Sequence, residues 1–243
     1  HAGVQQKYFP KNKNIFFRII FYLIFALSKK IICNAQPVKE KIMEYGINSN
    51  KIFSIPGFTL RYLRFEQVVL TEGIEVFFQR HDPVLFSYIC FFEEYTVDVF
   101  LDVMEELKKR YPMIGFMLVL RVEDNKDEFL RTIKERNLEN SICLSSNLSH
   151  DEFLTLVRRT KMYIRTPPDG ICSSVLETIA LGVPVVASKN ECRPQQAVLF
   201  RFGDRDDMLE KILYVLNNYE EVKAGMVLTW KDSLDEEVDL LML

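Results

Sequence analysis

The sequence predicts an α/β fold in which a parallel sheet is covered on both faces by helices. From Val84 to Asn217, apolar runs of strand length alternate with segments whose apolar residues recur at helical spacing. The runs are almost continuously apolar instead of alternating with polar residues, which marks strands buried on both faces. This order of elements describes a doubly wound, Rossmann-like sheet.

Val84–Phe91, Ile114–Leu120, Ile142–Leu144, Met162–Ile164 and Val183–Ala187 read as strands, with Ala197–Phe200 a further short segment. Val97–Arg110 carries apolar residues at Val97, Phe100, Leu101, Met104 and Leu107 and reads as a helix. Lys126–Arg136, His150–Arg158, Ser174–Ala180 and Asp206–Asn217 follow the same pattern, and Gly225–Leu243 is expected to end in another helix. Upstream, Ile15–Ser28 reads as a helix, Lys30–Cys33 as a strand and Val38–Tyr45 as a helix stopped by Gly46. Lys51–Ile55 is then a strand closed by Pro56-Gly57. Residues 1–56 thus read as the tail of one α/β domain, 57–83 as a linker, and 84–243 as a second α/β domain with terminal helices.

A chain of 243 residues with 48% hydrophobic content can bury one large core or two small ones, and its net charge of -3 gives no global case for a nucleic-acid partner. Five cysteines without a C-x-x-C pair disfavour a zinc site or a disulfide framework and suit reduced thiols in the cytoplasm. The apolar run Ile19–Leu27 is about half of the ~20 residues a membrane-spanning helix needs. Lys29-Lys30 closes it where a secretory leader would carry a small-residue cleavage site. A buried or interfacial helix is expected, and its basic, aromatic character suits an anionic membrane surface. Lys108-Lys109-Arg110 complements the dipole at a helix end.

One stretch, Met162 to Ala187, carries the candidate chemistry. It reads as a strand, a Pro167-Pro168-Asp169-Gly170 turn, a helix opening at Ser173 or Ser174, and a Gly182 stop before the next strand. The helix N-terminus then faces the carboxyl edge of the sheet, where its unpaired amides and positive dipole end suit a diphosphate. Two plainer readings stand beside this one. Ser174-Val-Leu-Glu177 is also a capping box, and Asp169-Gly170 is also an ordinary turn pair. His81 and His150 read as exposed loop or helix-cap residues.

The same stretch resembles the donor site of retaining family-four glycosyltransferases of the GT-B fold. Their motif is E-x7-E followed by A-x-A-x-G-x-P-V-V-A; here Asp169 and Glu177 have that spacing, followed by Thr178-Ile-Ala-Leu-Gly182-Val-Pro184-Val-Val-Ala187. Asn50-Lys-Ile-Phe-Ser-Ile-Pro-Gly57 is similar to the family's interdomain segment, and Leu148–Phe153 to the turn and helix before the donor strand. His1-Ala-Gly3 resembles an H-G turn in the N-terminal domain, which implies that roughly the first 100 residues of such a protein precede it.

The resemblance implies a partial N-terminal acceptor-side domain over 1–56 and a nucleotide-sugar-binding domain over 84–243. Asp169 would hold donor-sugar hydroxyls, Glu177 would accept hydrogen bonds from the ribose, and the amides of Gly170, Ile171, Cys172 and Ser173 would receive the phosphates. It implies neither a metal nor a cofactor, with the nucleotide-diphosphate sugar as co-substrate. The acceptor would be a glycan or a lipid-linked molecule, used in the cytoplasm or at the inner membrane face. The chain departs from the pattern at Asp169, where the family has Glu, and at Cys90 and Tyr95, where G-R-L-x-x-x-K-G places Arg and Lys. The family's G-x-G after the second strand is replaced by Arg121-Val-Glu-Asp124. Arg121, Arg165 and Arg193 are candidate replacement cations. A catalytically degenerate module that binds a nucleotide-sugar or a protein is the alternative these departures support. The pattern of a sugar-nucleotide epimerase is not found.

Overall fold

The computed structural model describes residues 15–55, 57–120, 125–168, 172–228 and 232–242. A small N-terminal unit contains α1 (Ile15–Leu27), β1 (Ile31–Cys33), α2 (Gln36–Met43) and β2 (Ile52–Ser54). The two strands pair in parallel, Ile31 opposite Ile52, so α2 serves as their crossover. Phe25, Val38, Ile42, Tyr45 and Ile52 form its own buried cluster. α1 buries only Phe25 and leaves Ile15, Phe16, Ile19, Leu23 and Leu27 exposed. Among the described residues no helix is long and apolar enough to cross a membrane.

The segment read as a linker holds a 3-10 turn, Leu60–Leu63, and a helix, α3 (Glu72–Arg80), that sequence reading missed. Glu72 and Glu75 in its first turn and Arg80 in its last complement the helix dipole. Leu70, Ile74 and Phe77 join the main core. Arg159 grips Glu75 through two bonds of 2.6 and 2.9 Å and lies over Phe78, which fastens α3 to the larger sheet's helices. The apolar pattern of so short a helix spans barely two turns, and tertiary contacts set its register.

The larger sheet comprises β3 (Val84–Ile89), β4 (Gly115–Leu120), β5 (Ile142–Ser146), β6 (Met162–Arg165), β7 (Val185–Ser188) and β8 (Val198–Phe200). Their order is β5-β4-β3-β6-β7-β8, and every neighbouring pair is parallel. Helices α4 (Val97–Arg110), α5 (Lys126–Glu135), α6 (His150–Arg159), α7 (Ser173–Ala180) and α8 (Arg205–Asn217) cover it. All side chains of β4, from Gly115 to Leu120, are buried, as expected of a strand with helices on both faces.

The chain winds outward from β3 to β5, returns to β6 beside β3, and winds outward the other way. Right-handed crossovers therefore place α4 and α5 on one face and α6 and α7 on the other. Packing of α4 on α8 and of α6 on α7 agrees. The carboxyl ends of β3 and β6 meet where the winding direction reverses.

After α8 come α9 (Tyr219–Ala224), which the sequence pattern did not show, and α10 (Ser233–Met242). Asp232 precedes α10 and ties the chain back to the interdomain segment. Its Oδ2 accepts from Thr59 Oγ1 at 3.0 Å and Leu60 N at 3.1 Å, and its Oδ1 from Leu234 N at 2.9 Å.

Gly115 opens β4 where the chain leaving α3 crosses it. A Cβ there would stand 2.7 Å from His81 Cβ and 2.8 Å from Phe77 Cζ. His81 stacks on Phe77 with ring centroids 4.2 Å apart and binds Phe77 O through Nδ1, so neither ring is loose. Gly115→Ala is expected to lower unfolding free energy by about 1–3 kcal/mol, the range for overpacking a core. Denaturant unfolding checks this; a variant as stable as the parent would show that His81 can withdraw.

Candidate functional site

The carboxyl end of β6 leads into Thr166, Pro167 and Pro168. Proline lacks an amide donor, so Pro167 and Pro168 present carbonyls alone. Both are held from the loop after β7: Arg193 Nη2 donates to Pro167 O at 2.6 Å, and Asn190 Nδ2 to Pro168 O at 2.8 Å. Arg193 also donates through Nε to Ser188 O at 3.1 Å and is buried. This clamp fixes the approach to α7.

α7 opens after Cys172, whose backbone is extended and whose side chain does not cap the helix. Ser174 Oγ is engaged with Tyr163 OH and Cys172 Sγ, each at 2.9 Å, and so turns away from capping duty. Burial pushes the Tyr163 phenol far up, so it remains a neutral hydrogen-bonding group. The first amides of α7 and its positive dipole end thus lie at the carboxyl edge, beside the reversal. At the other end Gly182 takes φ +72°, the left-handed stop expected of it.

Glu177 lies one turn into α7 and is only 5% exposed. Its Oε1 is 3.0 Å from His150 Nε2. The capping-box interpretation of Ser174–Glu177 is overturned, because both residues sit inside the helix and the N-cap is Cys172. The capping box lies in α6 instead: Ser149 Oγ accepts from Glu152 N at 3.3 Å, and Glu152 Oε2 from Ser149 N at 2.7 Å. That box seats His150 as the first residue of α6, facing α7. Burial raises the Glu177 pKa, and the hydrogen bond and charge of His150 oppose the rise. The Tyr62 ring meets His150 edge-on with centroids 6.0 Å apart, bringing the interdomain turn to the same place.

Across the reversal, Cys90 and Tyr95 are both buried. Arg165, the last residue of β6, is buried as well; its Nη1 donates to Tyr95 OH at 3.4 Å and its guanidinium lies 5.5 Å from the ring centroid. A cation therefore reaches the position that is Lys in the family motif, arriving from a different strand. Thr96, next along the chain, is left-handed with φ 43°, where that motif has Gly.

Of the site residues expected from sequence, Glu177, Cys172, Ser173 and Arg165 come to this edge, and Arg193 lies beside it as a brace. Asp169, Gly170, Ile171 and Arg121 lie outside the described residues. His81 sits at the opposite, amino edge. Sequence reading missed His150 as the partner of Glu177, and only its place beside a capping box marked it. Among the described residues no group of three or more His, Cys, Asp or Glu side chains is placed to hold a metal ion. A cavity of about 460 Å³ lies between the N-terminal turns of α4 and α5, lined by Phe91, Val97 and Phe129 and separate from Glu177.

The family profile described as "Glycosyl transferases group 1" matches residues 75–224, from within α3 to the end of α9. The chain belongs to this family. None of the curated proteins matches it. Among solved structures it is similar to HepE from Anabaena in complex with UDP and glucose, at 15% identity and a TM-score of 0.67 over 86% of this chain and 59% of that one. A glycosyltransferase from Rickettsia africae gives 18%, 0.68, 88% and 62% in the same order. A TarM variant from S. aureus, in complex with fondaparinux, alpha-GlcNAc-glycerol and UDP, gives 16%, 0.66, 92% and 46%. The likeness is one of fold, GT-B, and the chain spans between 46% and 62% of the length of these structures. In this member of the group 1 family, the reversal of strand order coincides with the buried acid, the clamped proline segment and the N-terminus of α7.

The clamp has a measurable consequence. Arg193→Ala removes a donor to the Pro167 carbonyl and one to that of Ser188, and is expected to cost roughly 1–3 kcal/mol of stability. Arg193→Lys should recover little, since a single ammonium cannot reproduce the planar fork. Thermal unfolding of both variants checks the order; full recovery by Lys would contradict it.

Proposed function

We propose that this chain is the donor-binding part of a retaining glycosyltransferase of the family-four type, moving a sugar from a nucleoside-diphosphate sugar to an acceptor. The observation that carries this reading is Glu177, a buried acid one turn into a helix that begins at the strand-order reversal. Residues 84–243 form the donor domain in this reading, 57–83 the linker and 1–56 part of the acceptor-side domain. Glu177 accepts hydrogen bonds from the ribose hydroxyls, Asp169 holds hydroxyls of the donor sugar, and the amides of Gly170, Ile171, Cys172 and Ser173 receive the diphosphate. Arg165 and Arg121 supply positive charge toward it.

The bond from the anomeric carbon to the diphosphate breaks, with its electron pair leaving on the phosphate oxygen. The acceptor oxygen bonds to the same face of the sugar and passes its proton to the departing phosphate oxygen. Preorganised amides and a cation stabilise the departing charge without a metal or cofactor. HepE has been solved with UDP-glucose and TarM with UDP, which makes UDP the first nucleotide to try.

Calorimetric titration with UDP, GDP and ADP tests the reading. One nucleotide should bind, and Glu177→Ala should weaken it about tenfold or more, the size of a hydrogen bond to a charged group. A folded chain that binds none of the three would overturn the donor-site assignment. The second reading, a module that binds without catalysis, is favoured by the burial of Cys90 and Tyr95 where the family motif has cations. Nucleotide binding that is indifferent to Arg165→Ala would support it.

The proposal extends to a glycan or lipid-linked acceptor used at the cytoplasmic face of a membrane, supported by the exposed apolar side of α1 and by Arg18, Lys29 and Lys30 around it. The chain should sediment with phosphatidylglycerol vesicles and be released by Ile19→Glu combined with Leu23→Glu. Absence of sedimentation at low salt would remove the membrane contact from the proposal.

A further inference from the structure

Glu177 and His150 are 27 residues apart in sequence and lie 3.0 Å apart in the fold, and the contact has features a packing accident would not combine. The Glu177 side chain is 6% exposed, whereas that of His150 is 44% exposed, so the pair runs from the α6–α7 seam to solvent. The imidazole is held on two sides, by the edge-on ring of Tyr62 from the interdomain turn and by Phe153, 6.4 Å away on α6. Its backbone is fixed by the Ser149–Glu152 capping box. With Nε2 against the carboxylate, the neutral ring must carry its proton on Nε2, which makes it a donor to Oε1.

We propose that His150 is a positioning residue of the nucleotide site, fixing the Glu177 carboxylate as an ionised acceptor for the ribose hydroxyls. The inference rests on the assignment of Glu177 to the ribose. An oxygen that accepts one N–H retains a second lone pair for a hydroxyl, so the His150 bond and a ribose bond are compatible. A protonated carboxyl, by contrast, would offer the diol one acceptor fewer.

Of the titratable groups on the packed elements, α6 brings His150, Asp151, Glu152, Arg158 and Arg159, the Leu60–Leu63 turn brings Arg61 and Tyr62, and β6 brings Tyr163 and Arg165; β7 brings none. Only burial and His150 act appreciably on the Glu177 carboxyl, burial raising its pKa and His150 lowering it. Without His150 the upward push is unopposed, so the carboxyl takes up its proton at a higher pH. Nucleotide affinity must then fall earlier as pH is lowered.

The experiment has two arms, each run on the unaltered chain, His150→Ala and His150→Gln. In the first, the Glu177 carboxyl is titrated by carbon-13 NMR without nucleotide. His150→Ala should move its midpoint up by about one to two pH units, the size of one hydrogen bond to a charged group, and the Gln variant, which restores an N–H donor, should move it back. In the second, binding of UDP, GDP and ADP is followed against pH. The affinity midpoint should move in the same direction in the Ala variant, and His150→Ala should have no further effect on a Glu177→Gln background.

An unmoved NMR midpoint overturns the inference whatever the binding arm shows. If Glu177→Ala weakens a nucleotide but His150→Ala leaves its pH profile unchanged, the inference falls and the donor-site assignment stands. If no nucleotide responds to Glu177→Ala, the donor-site assignment falls and the inference goes with it. A drop in stability alone, with both midpoints unmoved, marks His150 as structural and also overturns the inference.

Discussion

The reversal of strand order between β3 and β6 is the constraint on which the rest of the site depends. A parallel strand must be followed by a crossover, and a right-handed crossover places its helix on the face that the winding direction selects. Helices on the two sides of the reversal therefore diverge, and the carboxyl ends of β3 and β6 lie between them. Ser87 pairs with Ile164 there, so residues 90–96 and 166–172 must emerge side by side. Arg165 and Tyr95, 70 positions apart in the chain, become neighbours through topology alone.

This placement changes the meaning of the missing cations. In linear comparison with the motif that the sequence resembles, Cys90 and Tyr95 are losses of positive charge. In the fold, Tyr95 forms a platform for the guanidinium of Arg165, arriving from the strand opposite. A tyrosine can hold an arginine in this way through its hydroxyl and its ring face, whereas a lysine at the same position would repel it. The aromatic residue and the displaced arginine thus explain each other as a pair, while the linear motif registers only the first.

The contrast also shows which features sequence could reveal. Strands β3, β4, β6 and β7 were legible because strands buried on both faces must be apolar throughout, and that pattern needs no knowledge of neighbours; of the half-buried edge strand β5 only the apolar part, Ile142–Leu144, showed. Gly182 was legible because a helix followed at once by a strand requires a left-handed residue between them. α3 and α9 were not: six residues are too few for α9 to show a helical period, and α3 carries Gly73, a poor helix former, in its first turn and is held by packing of Ile74 and Phe77 on the main core. The capping-box interpretation of Glu177 failed for a related reason. Ser-x-x-Glu is a local rule, and it was met by Ser149 and Glu152 where the helix began but defeated at Ser174 by Tyr163 and Cys172, which engaged the serine hydroxyl.

Burying the Glu177 carboxylate between two helices is unfavourable unless its charge is compensated. Thr96 departs from ideal structure in the same region: a β-branched residue in a left-handed conformation, with a buried hydroxyl that lacks a partner among the described residues. Arg165 completes the set as a guanidinium buried at a strand end. These departures gather at the carboxyl edge, while the amino edge is filled by the close packing of Gly115, Phe77 and His81. A sequence that agrees with its fold at every level except one edge places its unfavourable terms where a ligand can relieve them. That asymmetry, independent of any motif, sets the carboxyl edge at the reversal apart from the closely packed amino edge.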